Sequence, residues 1–390
     1  MTKQKNLWWP LAGAVCVGLV VGACARQIPN SNGTQGTLDT AAQAQGAPIR
    51  NAEDLQRLST TYAAIARNVT PAVVNINSEQ IIRGRVLRDP FSDFFGDQSG
   101  GMFREPDRRS QSLGSGVIVD GRGIIITNNH VVQNASTITV TLNDRRHFPA
   151  KLLGTDPSSD VAVLKVEATN LPALKWADSD KLNVGEIVLA VGSPFNLAST
   201  VTQGIISAKG RRDLGISVVE DFLQTDAAIN PGNSGGALVD INGNLIGINT
   251  AILSESGGNQ GIGLAIPANL ARKISTQLAT TGRVTRGWLG LVVEPVTANI
   301  AGKLGLGEAR GVAVTGIYTR GPGAGLPWSR EGGDVILQAN GVDINSPGQF
   351  RNMVADLKPN TSLKLQVWQA GQTREFSITV GSRPERAQGV

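Results

Sequence analysis

Two histidines in 390 residues make any search for acid–base chemistry short. His130 closes an apolar run in Thr127-Asn128-Asn129-His130-Val131-Val132. His147 sits among charges in Arg145-Arg146-His147-Phe148 and reads as a solvated strand-edge residue. Farther on come Asp160, ahead of Val161-Ala162-Val163-Leu164, and the turn Gly232-Asn233-Ser234-Gly235-Gly236. A serine hydroxyl attacks a carbonyl only when a base takes its proton and donors receive the oxyanion. His130 fits the base, and Asp160 fits the group that holds its tautomer and stabilises the imidazolium. The backbone N–H groups of Gly232 and Ser234 fit the oxyanion donors, in a turn whose angles glycine permits. Metal-dependent hydrolysis lacks ligands, because the histidines are distant and no cysteine follows Cys24. No cofactor is implied.

Such residues need a scaffold of strands. Beyond Val73 the chain breaks into β-branched runs separated by glycine: Val117–Val119, Ile124–Thr127, Ile138–Leu142, Val161–Val166, Ile187–Val191, Val201–Ile206 and Leu245–Ile252. Short strands with glycine-rich turns indicate a mainly β barrel or sandwich rather than alternating βαβ units. A helix from Asn51, with Asp54 three residues on, places Leu55, Leu58, Tyr62 and Ile65 on one face and stops at Pro71. Another opens at Pro267, repeats Leu270, Ile274 and Leu278, and ends before Gly282. From Gly287 a separate β-rich unit begins, with strands Val312–Ile317, Val335–Ala339 and Leu363–Trp368. Its one helix is capped by Ser346, opened by Pro347, and turns Phe350, Val354 and Leu357 inward. Residues 83–109 carry six arginines, five acids and the aromatics Phe91, Phe94, Phe95 and Phe103, the composition of a functional or disordered loop.

Chain order separates the candidate chemistries. Gly232-x-Ser234-x-Gly236 also fits a hydrolase nucleophile elbow, but that fold places its histidine after the serine, and none follows His147. A subtilisin-type order needs an acid before His130, and the nearest, Asp120, lies in the turn Asp120-Gly121-Arg122-Gly123. The order His130, Asp160, Ser234 is that of the chymotrypsin double barrel. Gly114-Ser115-Gly116-Val117-Ile118-Val119, Thr127-Asn128-Asn129-His130-Val131-Val132 and Asp160-Val161-Ala162-Val163-Leu164-Lys165 closely resemble the HtrA (Deg) serine proteases. So does Gln224-Thr225-Asp226-Ala227-Ala228-Ile229-Asn230-Pro231-Gly232-Asn233-Ser234-Gly235-Gly236. The resemblance runs from residue 55 to 380. It implies a chymotrypsin-like double-barrel protease domain over residues 51–283 with His130, Asp160 and Ser234 as its triad.

The resemblance further implies one PDZ domain over residues 284–383. Gly287-Trp288-Leu289-Gly290-Leu291 would be its carboxylate-binding loop and Gly332-Gly333-Asp334-Val335-Ile336 its central strand. Such domains bind C-terminal peptides as an added strand. The implied protein is an exported endopeptidase acting on unfolded or damaged envelope proteins. It would assemble as a trimer or a multiple of three, with Tyr62, Phe91, Phe94 and Phe95 as docking aromatics and residues 210–220 as a loop sensing PDZ occupancy. The alternative, a peptide-binding chaperone with a decayed site, is opposed by the presence of all three residues and both flanking glycines. Two features depart from relatives: the glycine-rich segment from Gly321 to Arg330 carries Trp328, and only one such module fits before Val390.

Specificity follows from one position. Trypsin-like enzymes that cut after Lys or Arg place an aspartate six residues before the nucleophile, where this chain has Ala228 beside Ile229. A pocket of Ala228, Ile229 and, by resemblance, Ile262 and Leu264 would accept a small apolar side chain. Selectivity would be loose, since one methylene changes such binding by about 1–3 kcal/mol. Asp226 reads as the cap of a turn.

The net charge of +5 is unevenly placed. Residues 1–26 carry Lys3, Lys5 and Arg26 without an acid, and residues 27–286 hold 23 basic and 23 acidic side chains. The body therefore lacks the basic stripe of a nucleic-acid surface. The uncharged run Leu7–Ala25 behind the two lysines reads as a secretory signal or a retained membrane anchor over residues 1–25, directing the chain to the bacterial periplasm. Val21-Gly22-Ala23-Cys24 resembles a lipobox in which Cys24 would be lipidated, the alternative being a chance cysteine like Cys16. Residues 26–50, rich in Asn, Gly, Thr, Gln and Ala, read as a flexible linker.

Overall fold

A computed structural model describes residues 52–82, 86–88, 102–104, 108–194, 199–230, 232–252, 261–329 and 333–384. The segment 1–25 with Cys24, the linker 26–50, and Phe91, Phe94 and Phe95 lie outside the described residues. Among the described residues no helix is long and apolar enough to cross a membrane.

After helix α1 (Ala52–Val69) come β1 (Val73–Ile82), the ribbon β2 (Val86–Arg88) and β3 (Met102–Arg104), β4 (Arg108–Asp120) and β5 (Ile124–Thr127). The one-turn helix α2 (Asn129–Val132) precedes β6 (Thr137–Thr141), β7 (His147–Asp156) and β8 (Val161–Val166). These strands close a first barrel in the order β1-β4-β5-β8-β7-β6. Strands β9 (Ile187–Gly192), β10 (Thr200–Arg211), β11 (Phe222–Thr225), β12 (Ala237–Val239), β13 (Leu245–Ile252) and β14 (Gly263–Pro267) close a second, in the order β10-β11-β14-β13-β12-β9. Helix α3 (Ala268–Thr281) follows and ends at Gly282, whose φ of 72° is the left-handed cap that glycine favours. The mainly β double barrel expected from the sequence is thus present.

Strand β8 shows why the sequence reads as an unbroken apolar run. Ala162 and Leu164 fill the first barrel, whereas Val161 and Val163 face a core shared by both barrels. Successive side chains on a strand point to opposite faces, so a strand buried on both sides loses its polar alternation. Leu189, Val191, Leu245, Ile248 and Leu264 enter the shared core from the second barrel, with Ile274 and Leu278 of α3 and Ile65 and Val69 of α1. Burial of α1 is confined to its C-terminal half, since Leu55 is 56% exposed.

The second unit contains β15 (Gly287–Trp288), β16 (Leu291–Pro295), α4 (Ala298–Lys303), β17 (Val312–Ile317), β18 (Val335–Ala339), β19 (Val342–Asp343), α5 (Pro347–Asp356), β20 (Ser362–Gln369), β21 (Gln372–Thr379) and β22 (Gly381–Ser382). Its main sheet runs β16-β17-β18-β20-β21, with β19 on β18 and a separate β15–β22 pair. Ser346 caps α5 by accepting from the Gln349 N–H at 3.2 Å, as its sequence predicts. Trp328 is an anchor: its Nε1 donates to Gly323 O at 2.7 Å and its ring meets Phe376 edge-on. The glycine-rich segment is thereby packed onto the unit's core.

Candidate active site

Val131 and Val132 of α2 turn into the first barrel, and Ser78 Oγ donates to Val131 O at 2.6 Å. His130 is thereby left on the outside of the barrel with its side chain 47% exposed. Asp160 takes a left-handed φ of 57° at the entry to β8. Its carbonyl accepts from the Asn129 N–H at 3.1 Å and from Asn128 Nδ2 at 3.0 Å. Its carboxylate receives three donors: the His130 N–H on Oδ1 at 2.9 Å, His130 Nδ1 on Oδ2 at 2.7 Å, and Thr250 Oγ1 on Oδ2 at 2.8 Å. A carboxylate only accepts, so Nδ1 carries the hydrogen and Nε2 presents its lone pair. The structure brings His130 and Asp160 together.

Ser234 comes from the second barrel and is joined to the first through Ser115 on β4. The Ser115 N–H donates to Ser234 O at 2.8 Å, and Ser115 Oγ donates to Gly232 O at 2.6 Å while accepting from the Ser193 N–H at 2.8 Å. A Cβ on Gly114 would lie 2.7 Å from Val131 and 3.3 Å from Ser234 O, so one residue of β4 abuts both the histidine turn and the serine turn. Strand β13 ties the other side: the Gly235 N–H donates to Asn249 O at 2.8 Å, and the next residue, Thr250, holds Asp160. Gly232 sits at φ 102° and Gly235 at φ 82°, angles that demand glycine. Among the described residues the Ser234 hydroxyl makes no hydrogen bond to His130. Catalytic contacts in unliganded enzymes are often long and tighten on substrate binding.

The rejected acids have other partners. Asp120 is paired with Arg122 at the surface, and that guanidinium holds its carboxyl down to about 2. His147 is exposed, and its Nδ1 lies 2.8 Å from Thr141 Oγ1. Asp226 is not the turn cap expected of it: Thr225 Oγ1 accepts from the Ala227 N–H at 3.1 Å, while Asp226 Oδ1 accepts from the Ile205 N–H of β10 at 2.7 Å. Of the four pocket residues, Ile229 is buried inside the second barrel and Leu264 in the shared core. Ala228 and Ile262 are half-exposed. Ser115 and Asn128 stand in the segments that carry the resemblance, but no local pattern assigns a role to them or to Asn249 and Thr250. Their partners lie as far as 122 residues away, beyond any local pattern.

In the second unit, the Gly287–Leu291 segment lines a cavity of about 220 Å³ with Val293, Phe350 and Val354. Arg351 and Arg383 lie on its wall, and Val218 and Val219 of the loop from the second barrel complete it. That loop is fastened to α5: Arg351 pairs with Asp213 at 2.7 Å, and Asn352 Nδ2 donates to Glu220 O at 2.6 Å. The Val219 N–H donates to Ser158 O at 2.8 Å, two residues before Asp160.

Two six-stranded barrels that meet beside a histidine–aspartate pair and a glycine-framed serine have the architecture of trypsin-like peptidases. The family model for the trypsin-like peptidase domain matches residues 114–248. Over nearly the whole chain the resemblance is narrower. A probable periplasmic serine endoprotease, DegP-like, from Chlamydia pneumoniae is 38% identical, with 99% of this chain and 79% of that protein covered. Its counterpart from Pseudomonas putida strain W619 is 42% identical over 83% of this chain and 70% of that protein. Among solved structures, the HtrA-type protease AlgW with a decapeptide has 43% identity and a TM-score of 0.69 over 83% of this chain and 99% of that one. A serine endoprotease from Yersinia pestis has 36% identity and a TM-score of 0.60 over 83% of this chain and 98% of that one. The chain belongs to the DegP-like, HtrA-type family of serine endoproteases and is a serine-type endopeptidase.

Proposed function

We propose that His130, Asp160 and Ser234 are the catalytic triad of a periplasmic endopeptidase that degrades unfolded or damaged envelope proteins under the control of a PDZ domain. The observation that carries this reading is the doubly bonded His130–Asp160 pair, held by the same strands that hold the Ser234 turn. Ser234 Oγ attacks the scissile carbonyl as His130 Nε2 takes its proton, and the imidazolium that forms is stabilised by Asp160. The oxyanion is received by the N–H groups of Gly232 and Ser234, each such donor being worth about 2.7–4 kcal/mol. His130 then returns the proton to the leaving amine. Water, deprotonated by His130, releases the acyl group from Ser234. Ala228 and Ile262 leave room at the cleaved position for a small apolar side chain.

In this reading the groove beside β16 takes a C-terminal peptide as an added strand. The Gly287–Leu291 amides hold its carboxylate, and Leu289, Phe350 and Val354 hold an apolar last residue. The cavity walls include Val218 and Val219, so an occupant meets the loop that reaches Ser158. The working assembly is a trimer or a multiple of three, exported behind an N-terminal signal or tether. Casein hydrolysis by the purified protein and by Ser234→Ala and Asp160→Asn variants tests the chemistry. The reading expects no turnover for Ser234→Ala and a fall of about 10⁴-fold for Asp160→Asn. Retained turnover in Ser234→Ala would overturn it, and inactivity of the unmodified protein would favour the chaperone.

A further inference from the structure

Asn128 is fully buried, two residues before His130, and its amide orientation is fixed by chemistry alone. The group facing Asp160 O at 3.0 Å must be the NH₂, because a carbonyl only accepts. The second hydrogen of that NH₂ then points to Thr250 Oγ1, also at 3.0 Å. A hydroxyl has one hydrogen, and the Asp160 carboxylate 2.8 Å away can only accept it. Asn128 therefore fills the acceptor side of Thr250 and commits the threonine hydrogen to Asp160 Oδ2, the oxygen that also accepts from His130 Nδ1. Thr250 is itself 3% exposed, so water does not compete at this junction. Asn128 Oδ1, by contrast, is buried with no hydrogen-bond partner among the described residues, so the side chain acts here through its two donors.

Resting on the triad reading, we propose that Asn128 is a positioning residue that acts through Thr250. It directs the Thr250 hydrogen onto the catalytic acid and holds the Asp160 backbone in its left-handed conformation. The donated hydrogen bond draws charge away from Oδ2. Without it Oδ2 pulls harder on the protonated imidazole, which keeps its proton to higher pH, and the free base needed for attack on the substrate appears later.

The test measures kcat and KM on a peptide substrate across pH for the unmodified protein, Asn128→Leu, Thr250→Val, the double variant and Thr250→Ser. Rates are normalised to sites labelled by a fluorophosphonate, and melting curves establish folding. Asn128→Leu and Thr250→Val should each lower kcat about tenfold with KM unchanged, and each should move the acidic limb of the kcat/KM profile to higher pH. Because one residue acts through the other, the double variant should be no worse than the weaker single variant. Thr250→Ser, which keeps the hydroxyl, should leave the acidic limb where the unmodified protein has it. An unmoved acidic limb in Asn128→Leu, or losses that multiply in the double variant, would overturn the proposal. Should Asn128→Leu not fold, Asn128→Ser replaces it, and an unmoved limb in Thr250→Val overturns the relay by itself. Failure of the unmodified protein to label is a different result, which removes the triad reading beneath it.

Discussion

Gly235 occupies a left-handed φ of 82°, and a Cβ there would lie 2.1 Å from Ser115 O and 2.4 Å from Thr127 Oγ1. Gly185 shares the strained backbone, at φ 95°, but a Cβ there would meet nothing within 4 Å. The pair separates two costs. Gly185→Ala should lose stability by about 1–3 kcal/mol from backbone strain alone and keep its activity. Gly235→Ala must in addition push the serine turn off β4, so its melting temperature should fall further and its casein turnover collapse. Equal melting temperatures with equal activity would show that the turn is not seated on Ser115 as described. The glycines, His130, Asp160 and Ser234 were legible in the sequence because their order and local pattern are distinctive. Ser115 and Thr250 were not, since each is an ordinary strand residue whose role depends on partners 117 and 90 residues away.

The turn between β7 and β8 gathers contacts that no single element explains. Asp156 closes β7 and pairs with Arg286, the residue before β15, with side chains only 7% and 6% exposed. Ser159 also donates to Asp156, while Ser158 accepts from the loop after β10. Removing one member of a buried pair strands the other charge, so Asp156→Ala should cost about 3–5 kcal/mol in denaturant unfolding. Replacing both, as Asp156→Leu with Arg286→Met, should recover most of that. A double variant as unstable as the single would mean that the pair itself is not the source of the loss. The half-exposed Asp213–Arg351 pair should contribute about 0–1 kcal/mol and weaken with salt. At this scale β17 and β18 match the sequence reading residue for residue, since apolar runs opened after Gly311 and closed before Asn340-Gly341 stand out from polar surroundings. Strand β16 was obscured because its first residue belongs to the glycine-bounded Gly287–Leu291 segment, which reads as a loop.

The molecule as a whole places the His130–Asp160 pair from one barrel beside the Ser234 turn from another. The apolar cavity beside the Gly287–Leu291 segment is fastened to the same framework by a loop that touches both. Peptides ending in an apolar residue should therefore raise casein turnover, and unchanged turnover at saturating peptide would disprove the coupling. The +5 net charge says nothing of this arrangement: three of the five excess charges lie in residues 1–26, and residues 27–286 are balanced. Under the proposed function, the charge of the N-terminal segment serves export, and selectivity rests on the half-exposed Ala228 and Ile262 and on the apolar groove. The central claim is that Ser234 is a nucleophile activated by His130 and Asp160, and a fluorophosphonate reports on it directly. After reaction with the purified protein, peptide mass mapping should find the adduct on Ser234. It should be absent from Ser234→Ala and form far more slowly in His130→Ala. An adduct on another serine, or none on the unmodified protein, would contradict the account.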